Sequence, residues 1–191
     1  MNSRNWMRFS AALSLSALLL ASAMAFGQSE AQKPTEAQKS FTLLKTLAGT
    51  WEGHFKVDPP QPEMSGDSLS QVTLRVTSRG NALVHEMKEA GKADDPTRYD
   101  HPVTMFYLDG DRLTLTHYCD AGNRPRMAAR TSPDGKTVEF DFVDVSGGTQ
   151  YGHMHHALFT IADANHHIEE WTYMMPGDKP VHARIELARV Q

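Results

Sequence analysis

From Gly49 to Gln191 the chain is a succession of short segments in which apolar and polar residues alternate, each ended by Gly, Asp, Asn or Pro. A period of two places successive side chains on opposite faces of an extended strand, whereas a helix needs apolar residues recurring three and four apart. The pattern predicts about ten strands of ordinary length, near 50–57, 69–78, 82–90, 101–108, 112–119, 124–131, 137–145, 151–162, 166–175 and 181–190. Between them lie Arg79-Gly80-Asn81, Asp109-Gly110, Pro133-Asp134-Gly135, Asp163-Ala164-Asn165 and Pro176-Gly177-Asp178. These residues accept positive φ or preset a turn, so each strand should fold back beside its predecessor. The stretches 58–68 and 91–99 read as longer loops at a rim, and Gly147-Gly148 marks a third loop.

A meander of this length left flat would expose two strand edges, which invite further pairing; closing the sheet removes both. The predicted fold class is therefore all-β, a single antiparallel up-and-down β-barrel of about ten strands. Barrels of roughly eight strands can already hold one small ligand, so a wider one should enclose a cavity. No internal sequence repeat is visible, which argues against a propeller or solenoid. Ahead of the strands, Phe41, Leu43, Leu44 and Leu47 fall at helical spacing between Pro34 and Gly49, predicting a short amphipathic helix that covers one barrel end.

The first 25 residues have the order of a secretory signal peptide: Arg4 and Arg8, an apolar stretch from Phe9 to Leu20, then Ala21-Ser22-Ala23-Met24-Ala25 with cleavage expected after Ala25. The apolar stretch is shorter than the roughly 20 residues that span a bilayer, so no membrane span is expected once the leader is gone. Residues 26–33 are polar and read as a tether, and 34–191 as one barrel domain. The expected location is periplasmic or extracellular. The formal charge of −4 becomes more negative when Arg4 and Arg8 are removed. An acidic protein with no basic stripe is not expected to bind nucleic acid. Cys119 is the single cysteine, so no intramolecular disulfide can form, and the thiol is expected to be inaccessible.

Leu47-Ala48-Gly49-Thr50-Trp51-Glu52-Gly53 after a short helix resembles the opening strand of calycin-type barrels, the group of lipocalins, fatty-acid-binding proteins and nitrobindin-like haem barrels. Asp109-Gly110-Asp111-Arg112-Leu113, with Leu115-Thr116-His117-Tyr118-Cys119 and Gly122-Asn123-Arg124-Pro125-Arg126-Met127, is similar to segments of bacterial secreted lipocalin-like proteins of unknown function. The resemblance implies a calycin-like barrel whose Trp51 plugs one end by packing. It implies no activity. The chain lacks the disulfide pairs of many secreted lipocalins, and shows no clear counterpart of the glycine-rich first strand and late histidine with which nitrobindin-like barrels hold haem.

Ten histidines supply most of the polar chemistry. Strand alternation puts His117 and Cys119 on the face of Leu113 and Leu115, and His153 and His155 on the face of Ala157 and Phe159. His156, His166 and His167 read as surface residues. A cavity lined by His117, Arg124 or Arg126, His155, Tyr118 or Tyr173, and Trp171 would offer hydrogen-bond donors to an acidic group on an otherwise apolar molecule. Alternation places the two arginines together without saying which face is interior; inward, they would require a carboxylate partner. Imidazole and thiolate are also zinc or copper ligands, so His117, Cys119, His153 and His155 form an alternative metal-binding set.

Catalytic signatures are scarce. The chain has no Gly-x-Ser-x-Gly, His-Glu-x-x-His or glycine-rich phosphate loop. His117 and Cys119 point in parallel and make a poor base and nucleophile pair, and the adjacent Glu169 and Glu170 must face opposite ways. The sequence thus predicts an exported binder of a small, largely apolar molecule bearing a polar or acidic group. A periplasmic histidine-rich metal-binding protein is the alternative, and an enzyme using His117 as base the least favoured.

Overall fold

The computed structural model describes residues 33–61, 68–95, 97–131 and 135–190. The predicted leader and nearly all of the predicted tether lie outside them. The first element, α1 (Glu36–Lys45), starts where Thr35 caps it: the Thr35 hydroxyl accepts from the Gln38 backbone N–H, while the Gln38 side chain accepts from the Thr35 N–H. Glu36 in the first turn and Lys45 in the last suit the helix dipole. The helix ends at Thr46, earlier than Leu47, because the chain must turn there into the first strand.

Ten strands follow: β1 (Gly49–Asp58), β2 (Leu69–Thr77), β3 (Ala82–Glu89), β4 (Val103–Asp109), β5 (Arg112–Tyr118), β6 (Arg124–Thr131), β7 (Thr137–Ser146), β8 (His153–Ile161), β9 (His166–Met175) and β10 (Lys179–Arg189). Each pairs antiparallel with its neighbours in sequence, and β1 pairs with β10 to close the barrel. The all-β, ten-stranded meander anticipated from the periodicity is the fold. Closure is tightest at Gly53, where a Cβ would lie 2.2 Å from the Glu186 carbonyl oxygen of β10, so only glycine lets the first and last strands meet there.

Because neighbours run antiparallel, the connections alternate between two ends. At one end they follow β2, β4, β6 and β8, and those described throughout are the short turns 78–81, 110–111 and 162–165. Helix α1 packs at this end against β2, β4, β5 and β6, burying Phe41 and Leu44. Trp51 is fully buried there; its indole N–H donates to the Leu47 carbonyl at 2.8 Å, the Arg189 guanidinium lies 4.0 Å above its ring, and His167 meets it edge-on. Leu113, Leu187, Phe106, Phe140 and Phe159 continue the packing toward the middle of the tube. The connections that follow β1, β3, β5, β7 and β9 start from the opposite end, where the described stretches 119–123, 147–152 and 176–178 lie.

Two irregularities matter for the interior. Between β6 and β7 the register shifts at Arg126/Met127, and between β8 and β9 at Met154/His156, where those two residues take the consecutive partners Tyr173 and Thr172 and leave His155 as an extra residue. A bulge resets which face each later residue takes.

Candidate functional site

At the open end the barrel interior is a cavity of about 540 Å³. Its walls are largely apolar: Phe55 from β1, Met87 from β3, Met154 from β8, Trp171 from β9, and Val181 and Ala183 from β10. The size and the apolar lining with a few polar groups match what small-molecule sites require.

The polar floor is organised by Glu169, whose side chain is wholly buried in the middle of β9. Three donors converge on its carboxylate: the Trp171 indole N–H at 3.0 Å, His167 Nε2 at 3.0 Å and His85 Nε2 at 3.0 and 3.2 Å. Burial alone would push the Glu169 carboxyl up, but the attraction of His85 and the bonds from both imidazoles outweigh it and hold the group well below the usual carboxylate range. An ionised carboxylate can only accept, so both imidazoles carry their proton on Nε2. Each leaves a buried Nδ1 without a partner.

His117 stands across from this network, its ring 5.7 Å from that of Trp171. It is 4% exposed; its Nδ1 shares a 2.8 Å hydrogen bond with the buried Thr104 hydroxyl, and its Nε2 has no partner. Burial, reinforced by His85, lowers its pKa to about 3, so the ring is neutral. His85 and His117 both line the cavity.

Toward the mouth the lining becomes acidic, with Asp100 and Asp120 beside Cys119 and Tyr173. Asp100 accepts the Asp120 backbone N–H at 3.1 Å; burial and the Asp120 charge push its carboxyl up. Burial, then Asp100 and Asp120, also raise the Cys119 thiol, which is half-buried rather than inaccessible as expected. Tyr173 is pushed up to about 12 by burial and by Cys119 and the same acids, and its hydroxyl donates to the Tyr151 carbonyl at 2.8 Å.

Of the candidate residues read from the sequence, His117, Trp171 and Tyr173 line the cavity. Tyr118 is 43% exposed, as alternation after His117 requires. Arg124 and Arg126 are on the outer face, where Arg126 Nε donates to Asp144 at 2.8 Å and Arg124 Nε to Ser146 at 3.1 Å; Pro125 and Met127 take the buried face. His155 is also absent from the lining. The bulge there lets Met154 face the cavity while His156 turns outward to Glu139, and His153 and His155 stack against Phe142 at 4.8 Å. His153 and His155 thus lie outside the cavity lining, and His117, Cys119, His153 and His155 do not bring their ligand atoms together to hold one metal. Among the described residues, Glu139, Asp141 and His156 alone bring three ligand atoms within 4.8 Å of one another, and Arg130 already pairs with both carboxylates.

His167, read as a surface residue, is 1% exposed, whereas His166 is exposed. From sequence, Glu169 is considered only as half of a rejected carboxylate pair with Glu170, and His85 and Thr104 are given no site role. The available signal was Trp171: its face of β9 also carries Glu169 and His167, two and four residues earlier.

The geometry defines a closed, ten-stranded antiparallel barrel with a polar-floored cavity at one end. No protein-family model matches the chain, and no curated protein matches it. The crystal structure of Rv2717c from M. tuberculosis is similar in fold, with a TM-score of 0.58 at 12% identity over 80% of this chain and 98% of that one. A protein of unknown function of the DUF3598 family from Nostoc punctiforme covers 78% of this chain and 98% of its own at 7% identity, but its TM-score of 0.24 carries no argument. Among the described residues no helix is long and apolar enough to cross a membrane.

Proposed function

We propose that this is an exported calycin-like barrel that binds one small, largely apolar molecule carrying a polar group. The observation that carries the reading is the cavity of about 540 Å³ at the open end, whose apolar walls surround ring nitrogens of His85 and His117 that are buried without a partner. An unmade hydrogen bond at a buried polar atom costs about 1–3 kcal/mol, and a bound polar group would recover part of it. Export rests on the order of residues 1–25.

Binding is tested with phenylnaphthylamine, whose fluorescence rises in apolar surroundings. Saturable uptake at one equivalent, abolished by Ala183→Trp, is the expected result. A linear, non-saturable response, or one untouched by Ala183→Trp, overturns the reading. Export is tested separately, by N-terminal sequencing of the protein recovered from its host's periplasm or medium: a start at Phe26 is expected, and a retained Met1 refutes it.

A further inference from the structure

Two features of the cavity narrow what it can hold. The first is a pair of buried ring nitrogens left without a hydrogen-bond partner. Glu169 engages His85 through Nε2, and Nδ1 of the same ring is buried and unpartnered. Across the floor, His117 keeps Nε2 free while Thr104 engages Nδ1.

The second feature is charge. Asp100 and Asp120 lie at the mouth, with His101 following Asp100 in the chain, while Glu169 is buried behind the lining and paired with His85 and His167. Glu89 also contributes to the lining and is 3.8 Å from Lys92. Lys88 is the one lysine or arginine of the lining among the described residues, and Asp94 holds it at 2.8 Å. The arginines that could have received a carboxylate, Arg124, Arg126 and Arg130, are outside. An entering anion would meet like charge at the mouth with no unpaired lysine or arginine in the described lining to receive it.

We infer that the guest is an apolar molecule whose polar group is uncharged or basic, an alcohol or an amine, and that carboxylates are excluded by the acidic mouth. This rests on the binding role proposed above, and it replaces the acidic group expected from the sequence.

Decanol, decylamine and decanoate share one chain and differ only in head group. Each is titrated near neutral pH against the protein loaded with phenylnaphthylamine. Decanol and decylamine should displace the probe, and decanoate should need a concentration at least about ten-fold higher. The double variant Asp100→Asn, Asp120→Asn should narrow the gap between amine and carboxylate by about three-fold or more. His117→Leu, similar in bulk, should weaken decanol while the fluorophore still binds. Decanoate displacing as well as decanol or decylamine overturns the inference and leaves the binding role standing. So does a probe that neither decanol nor decylamine displaces. Failure of the fluorophore itself to bind is the separate failure of the binding role.

Discussion

The two ends of this barrel are built from the same strands and do opposite things. At the α1 end, short turns draw the strands together, Phe41, Leu44 and Leu47 cap the tube, and Trp51 is gripped by Leu47, Arg189 and His167. At the other end the interior side chains surround space. Glu169, His85, His117 and Trp171 form the boundary. A barrel of this width thus needs something to fill it, and here one half is filled from within the chain.

The largest effect that would break this contrast is on stability. Trp51→Ala should cost about 3–5 kcal/mol in a urea titration, as truncation of fully packed aromatics does. Val181→Ala in the hollow half should cost about 1.5 kcal/mol or less, because the removed methyls already border open space. Equal losses would mean that the two halves are packed alike.

Glu169→Gln comes next. It replaces an ionised acceptor of three donors by an amide whose NH2 must face one of them, and should cost about 1–3 kcal/mol by the same titration. A variant as stable as the parent would remove the boundary network from the account.

The neutral His117 predicts a pH dependence of similar size. Its folded pKa of about 3 lies below the ordinary value of 6.5, so between the two the unfolded chain binds a proton that the folded one refuses. Stability from this residue is fully present above about pH 6.5 and falls by up to roughly 1.4 kcal/mol per unit as the pH drops toward 3. Glu169, with its pKa depressed, contributes stability that is present above the usual carboxylate range and lost only in stronger acid. His117→Gln should flatten the slope between about pH 6 and 5, where carboxylates have barely begun to titrate; an unchanged slope there would refute a buried neutral His117.

The smallest effect is expected outside the tube. Arg126→Ala breaks a pair with Asp144 in which both partners are about half exposed, and should leave the urea midpoint nearly unchanged and phenylnaphthylamine uptake unaltered. Loss of uptake would mean that this arginine reaches the interior after all.

How far the site could be read from sequence follows from where alternation is unbroken. On β5 it is unbroken, and Leu113, Leu115 and His117 share the interior as their spacing indicates. On β8 one extra residue at His155 brings Met154 to the cavity wall, and the histidines expected there pack on Phe142 instead. On β9 both faces mix polar and apolar residues, so neither Glu169 nor His167 announced its burial except through Trp171. The direction of Arg124 and Arg126, open at the level of sequence, was decided by Pro125 and Met127 being the residues the core takes in.

By itself the sequence determined the strands, the turns, the capping helix and their closure into a barrel, because those depend on periodicity and turn chemistry that act over a few residues. Tertiary structure alone decided that one end is filled and the other hollow. It also brought His85, His167 and Trp171 onto one buried carboxylate. That outcome depends on register and bulges between strands distant in sequence, and a shift of one residue in any of them exchanges the inside of the tube for its outside.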